Sequence, residues 1–180
     1  MQFLFMALFA GVIVAADQIS KLWVLEAIPL YTRVPVIDGL FHLTYVQNTG
    51  AAFSSFEGQQ WLFALIYIVF TLAVGYEFVK KSMPFTNFER WLIVCVYAGG
   101  LGNMIDRIRL GYVVDMIETT FMEFPVFNVA DIFITCGCIA LMAHLVFCNK
   151  EFWKEEKKRP SMPTFPASGW MPFWPGAPKI

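Results

Sequence analysis

The chain has 180 residues, 58% of them hydrophobic and 17% aromatic, with 15% charged and a formal net charge of −1. Soluble domains carry about 25% charged residues, so a soluble fold would leave much of this apolar surface in water. The near-zero charge offers no basic footprint for nucleic acid, and the apolar content excludes disorder of the whole chain; the class is membrane protein.

Four apolar stretches approach the roughly 20 residues needed to cross a hydrocarbon core of about 30 Å. The first covers about 3–24 and is uncharged until Asp17 and Lys21. A rival reading, a cleaved signal peptide ending near Ala15–Ala16, lacks the positively charged n-region. Residues 29–57 then alternate between strand and turn: Val34-Pro-Val-Ile, a turn at Asp38-Gly39, and Leu40 through Val46. This pattern predicts a small sheet lying on the outer membrane face. The second span, about 61–79, is broken only by Glu77. The third, about 91–107, starts at Trp91 and is uncharged to Ile105. Gly111 to Ile117 reads as another short strand, and the fourth span, 129–148, carries Asp131 in its first turn. After Arg159 the composition shifts to Pro160, Pro163, Pro166, Pro172, Pro175 and Pro178 among Trp170, Phe173 and Trp174, which predicts an irregular tail.

The expected fold is an all-α membrane protein with four transmembrane helices and a small extracytoplasmic sheet from the first outer loop. Residues 1–150 form the membrane domain, with outer loops at about 27–58 and 108–127, and 151–180 form the Pro/Trp-rich tail. Lys80, Lys81 and Arg90 around the 2–3 loop, with Lys150, Lys154, Lys157, Lys158 and Arg159 after the fourth span, put that loop and both termini in the cytoplasm.

Cys95, Cys136, Cys138 and Cys148 all fall inside predicted spans, and Cys136-Gly-Cys138 has no His or acid at metal-ligand spacing. No metal or other cofactor is expected, and the thiols read as packing groups. His144 has no partner that the sequence identifies.

Polar groups inside a span are costly and each needs an explanation. Here they converge near the outer boundary. Asp17 and Lys21 are four apart and share one helix face, which a simple ion pair also explains. Asn103 and Arg107 have the same spacing, with Asp106 beside them; Arg107 also fits snorkelling at a helix end. Asn128 suits the N-cap of the fourth span and Asp131 its third position, a capping arrangement sufficient in itself. Asp115, in the connection between spans 3 and 4, can return to the same edge. Two carboxylates in a partly dry site tend to share a proton. One then takes a proton from water while the other polarises a carbonyl, which suits peptide hydrolysis. No Ser or Cys triad competes with them, and Ser20-Lys21, being adjacent, point differently around a helix. Gly99-Gly100-Leu-Gly102 lies inside an apolar span and reads as a close-packing site.

Four blocks resemble the lipoprotein signal peptidase (signal peptidase II) family: Asp17-Gln-Ile-Ser-Lys21; Gln47-Asn-Thr-Gly-Ala-Ala-Phe-Ser54; Gly99 through Arg107 continuing to Gly111-Tyr-Val-Val-Asp115; and Phe127-Asn-Val-Ala-Asp131. The resemblance implies an intramembrane aspartic endopeptidase of the bacterial cytoplasmic membrane, with its site at the extracytoplasmic face. The implied substrates are prolipoproteins whose Cys carries diacylglycerol, cut just before that Cys. Asp115 and Asp131 match the family's catalytic dyad. Asp17, Lys21, Asn48, Gly50, Asn103, Arg107 and Asn128 match residues that shape the site or hold substrate, and the first outer loop would cradle it. Membrane lipids are the expected surroundings, with no nucleic acid and no obligatory protein partner. The alternatives are a small proton or ion carrier using Asp17, Asp106 and Asp131, which predicts acids at several depths, and a structural subunit whose charges only pair helices.

Overall fold

The computed structural model describes residues 1–50 and 58–158, with side chains to residue 154. In chain order its elements are α1 (Gln2–Ala27), β1 (Arg33–Ile37), β2 (Phe41–Asn48), α2 (Gln60–Lys80), α3 (Asn87–Leu110), β3 (Val113–Thr119), α4 (Val129–Phe147) and α5 (Lys150–Lys158).

Among the described residues, three helices, α1, α2 and α4, are long and apolar enough to cross a membrane. Their outward faces show what surrounds them. Phe5, Leu8 and Val12 on α1 and Leu65, Val69 and Leu72 on α2 are all half or more exposed, a stripe that lipid would cover. The third expected span, 91–107, lies within α3, which falls outside that apolar set. Its 24 residues begin with Glu89 and Arg90 in the first turn and end with Asp106, Arg107 and Arg109. The physical reason is position: α3 packs on α1, α2 and α4 at once, so its polar side chains meet protein partners instead of lipid.

Glycine makes that central packing close. A Cβ on Gly99 would stand 2.6 Å from the Ala130 carbonyl oxygen and 2.8 Å from the Ile134 side chain. On Gly102 it would stand 2.5 Å from Asp17 Oδ2, and on Gly100 2.9 Å from the Tyr67 ring. The α3 start is fixed by a capping box in which Thr86 and Glu89 bond each other's backbone N–H. It stops at Gly111, whose φ of 80° is the left-handed conformation glycine adopts freely.

The sheet is antiparallel in the order β1-β2-β3. Its first two strands come from the connection between α1 and α2, as expected, around the turn at Gly39, which has φ 73°. The third comes from the connection between α3 and α4, so the α1–α2 and α3–α4 connections build the sheet together. In register, Val46 faces Asp115 and Asn48 faces Val113. Val24 and Ile28 at the end of α1 pack with Tyr45, Val114 and Met116 in one buried cluster that seats the sheet on the bundle.

The far end carries its own polar knot. His144, for which the sequence supplied no partner, has Nδ1 2.9 Å from the fully buried Glu89 carboxylate. Asn149 donates to both oxygens of the same group at 2.9 and 2.7 Å. Asn149 Oδ1 also accepts the Phe152 N–H at 3.1 Å, which caps a further helix. The tail expected to be irregular from residue 151 therefore opens as α5, and its Pro/Trp-rich part, 159–180, lies outside the described residues.

Candidate active site

Asp17, on the face of α1 turned to α3 and α4, is fully buried. One oxygen accepts the Ala130 N–H at 3.0 Å and the other meets Lys21 Nζ at 2.9 Å. Lys21, only 2% exposed, also reaches Asp106 Oδ2 at 3.0 Å and Asn103 Oδ1 at 2.9 Å. Its three donors have three acceptors, the condition under which a buried ammonium is tolerated. The expected Asp17–Lys21 pair is thus one arm of a four-residue knot. Asp106 additionally receives the Val114 N–H at 3.1 Å and the Gln18 amide at 3.0 Å, tying the start of β3 to the bundle. Ser20 donates to the Asp17 carbonyl instead of facing Lys21.

From this knot Asn103 reaches outward. Its amide nitrogen donates to Asp131 Oδ1 at 2.7 Å, while its oxygen accepts from Lys21 and from Asn128 Nδ2 at 3.1 Å. Asn128 is fully buried and does two things. Its oxygen accepts the Asp131 N–H at 3.0 Å, with its own N–H returned to Asp131 Oδ2 at 3.1 Å, so the expected cap is a complete capping box. Its amide nitrogen donates to Asp115 Oδ1 at 2.7 Å. The other Asp115 oxygen accepts from Asn48 Nδ2 at 2.8 Å, and Asn48 Oδ1 accepts the Gly50 N–H at 3.0 Å.

Both carboxylates line one cavity of about 620 Å³, together with Asn48, Gly50, Asn103 and Arg107 and with an aromatic wall from α2. Asp115 is 2% exposed. Burial, and next the Asp131 carboxylate, push its carboxyl up to about 7, against the opposing pull of its two amide donors. Arg107 donates to the Gly50 carbonyl at 3.0 Å, and its guanidinium stacks 4.3 Å over the Phe63 ring. Its Nε is buried with no hydrogen-bond partner among the described residues. Residues 51–54 of the second motif block lie outside the described residues.

All nine residues singled out in the sequence lie in this connected cluster. Three partners were missed. Asp106 was noted as a neighbour of Arg107 and as an acid of the carrier alternative but not as part of this site, Gln18 sat unremarked inside the first motif block, and Phe63 looked like one more apolar residue of span 2. Asp106 had a signal, being an acid inside a predicted span, where a charged group needs a partner. Among the described residues, no group of three or more His, Cys, Asp or Glu stands as a metal cluster.

The fold places the chain among small helical membrane enzymes. Two solved bacterial membrane enzymes, both determined by the in meso method, match it at TM-scores of 0.76 and 0.72, each with 32% sequence identity. The alignments cover 82% of this chain and 90% of the first structure, and 80% and 94% for the second. A family model described as Signal peptidase (SPase) II matches residues 9–147. The lipoprotein signal peptidase of Streptococcus agalactiae is 45% identical over 147 residues, covering 80% of this chain and 88% of that one. That of Streptococcus pyogenes is 44% identical over 146 residues, covering 80% and 90%. The chain belongs to the signal peptidase II family.

Proposed function

We propose that this protein is an aspartic endopeptidase that removes signal peptides from diacylglyceryl-modified prolipoproteins, cutting before the lipid-bearing Cys. Asp115 and Asp131 form the dyad. The observation that carries the reading is that two acids from different elements line one cavity, and that Asn103 and Asn128 hold them through a single connected network.

Asp131, bonded to backbone N–H at the positive end of α4, is the carboxylate that takes a proton from the attacking water. Asp115, whose carboxyl is pushed up to about 7, is the neutral member that hydrogen-bonds the scissile carbonyl oxygen. Water oxygen bonds to the carbonyl carbon as Asp131 takes one water proton and Asp115 gives its own to the carbonyl oxygen, leaving a tetrahedral diol. The Asp131 proton then passes to the nitrogen as the C–N bond breaks, and one diol hydroxyl returns its proton to Asp115. The products are the signal peptide's carboxyl terminus and a free amino group on the lipidated Cys. Lys21, Asp17 and Asp106 act as ballast that orients Asn103. The Asn48–Gly50 turn and Arg107 close the site's outer rim.

In this reading residues 1–150 are the peptidase unit and α3 is the third of the four spans of the bundle. Both termini lie in the cytoplasm of a bacterial cell, and the dyad sits at the extracytoplasmic face. The aromatic wall of the cavity suits acyl chains arriving from the bilayer, and catalysis needs no cofactor and no obligatory protein partner. The carrier reading is less well supported. The inner acid Glu89 and the outer acid Asp106 lie at opposite ends of α3, about 25 Å apart at 1.5 Å per residue, and Glu89 is already engaged by His144 and Asn149.

The test is cleavage of a lipidated precursor by the purified protein in detergent or liposomes. Asp115→Asn and Asp131→Asn should each lower turnover by about 10²–10⁴-fold, the usual scale of acid–base catalysis. Near-normal turnover by either folded variant overturns the dyad.

A further inference from the structure

The cavity at the dyad continues past Asp115 into a space of different character. A groove of about 1050 Å³ runs along the sheet and shares Asn48, Gly50 and Asp115 with the cavity. Its lining mixes Arg33, Glu118 and Glu123 with the apolar Phe121, Met122 and Phe124, so it is more polar than the cavity, which presents Phe63, Ile66, Tyr67 and Phe70. We propose that this groove takes the substrate segment downstream of the cut, and that Arg33, Glu118 and Glu123 select its charge. A basic side chain in the first few residues after the lipidated Cys is favoured over an acidic one. The inference rests on the protease reading above and adds a specificity subsite to it.

Polarity sets the direction of the chain. Acyl chains and an apolar signal segment gain about 25 cal/mol for each Å² of apolar surface buried, which the aromatic cavity supplies. In the groove they would strip water from charged groups without replacing it. The downstream segment is the part that leaves the membrane, so the polar arm is its place. The length fits as well: from Asp115 to Thr119 the strand β3 advances about 13 Å at roughly 3.3 Å per residue, which matches about four extended residues of substrate.

Charge sets the preference. Arg33 Nε and Nη2 donate to the two Glu118 oxygens at 2.7 and 2.6 Å, and the Arg33 side chain is 67% exposed. That pair is neutral within itself. Glu123 is exposed and stands outside it, so Arg33, Glu118 and Glu123 together carry one negative charge. Interactions between charges at such exposed positions are weak, a factor of roughly 1.5–5 in an equilibrium constant.

The experiment uses the full-length protein in detergent and two lipidated peptides identical except for Lys or Glu at the third residue after the Cys. The kcat/KM ratio, Lys over Glu, should be about 2–5 at low salt and shrink at high salt. Glu123→Gln and Glu118→Gln should lower the ratio, and Arg33→Gln should raise it. Damage to the fold or the dyad slows both peptides alike, so opposite movements by Arg33→Gln and Glu118→Gln mark the charge effect itself. A ratio near one, or a ratio that none of the three variants moves, overturns the groove assignment while leaving the protease reading intact. Cleavage of neither peptide overturns both.

Discussion

Replacing Asp115 with Asn should make the protein more stable relative to the parent as pH rises, while it removes activity. Two effects compete. Asn48 and Asn128 each donate to an Asp115 oxygen, and neither amide can turn over, because Gly50 N–H holds the Asn48 oxygen and Asp131 N–H holds that of Asn128. The substituted amide would therefore place its own donor against one of theirs, at a pH-independent cost of about 1–3 kcal/mol. Against this stands the cost of ionising the native carboxyl. With its pKa near 7 in the fold and about 3.9 in the unfolded chain, the native state binds more protons between those values, so parental stability falls as pH rises through that window. Integrated over the two pKa values, the penalty is about 1–2 kcal/mol at pH 5 and about 4 kcal/mol at pH 8.5. The Asn variant is free of it. Relative to the parent, it should gain roughly 2–3 kcal/mol between those pH values, or about 5–10 °C in melting temperature for a chain of this size. Thermal unfolding of both proteins in one detergent at pH 5, 7 and 8.5 measures the difference, and titrations common to both cancel. Parallel melting curves with a constant offset would refute the raised carboxyl and its part in the proton-sharing scheme.

Two further outcomes follow from the packing. Lys21→Met leaves Asp17 and Asp106 facing each other without their shared cation, and should cost about 3–5 kcal/mol in unfolding experiments; a loss below about 1 kcal/mol would show that the knot is dispensable. Gly99→Ala drives a methyl group into the Ala130 carbonyl and the Ile134 side chain and should cost about 1–3 kcal/mol. Gly11→Ala, with open space around its position, serves as the control and should be neutral or slightly stabilising.

What could be read in advance was local. The one-turn spacing of Asp17 and Lys21 foretold their pairing, and Asn128 with Asp131 three residues on foretold the capping box. Alternation from Val34 to Val46 foretold two strands. Contacts between distant segments were not legible. The second carboxylate on Lys21 arrives from another helix, as does Asn103, 82 residues further along the chain. His144 looked unpartnered because Glu89 lies 55 residues earlier. The special place of the third span was hidden too, since hydropathy reports what faces lipid, and α3 is the helix enclosed by the others. Proline density marked a break in composition after Arg159, but the Asn149 cap just before the tail starts a helix that composition alone did not reveal. The motif blocks named the site's residues without stating who bonds to whom. That wiring runs through amide side chains, whose two ends look the same in a sequence.

Because a single asparagine both starts α4 and steadies the two acids, winding of that first helical turn and assembly of the site are one event. The Asp131 backbone proton is locked by the Asn128 side chain, so its exchange with deuterated solvent reports whether the reaction centre is intact, with no substrate present.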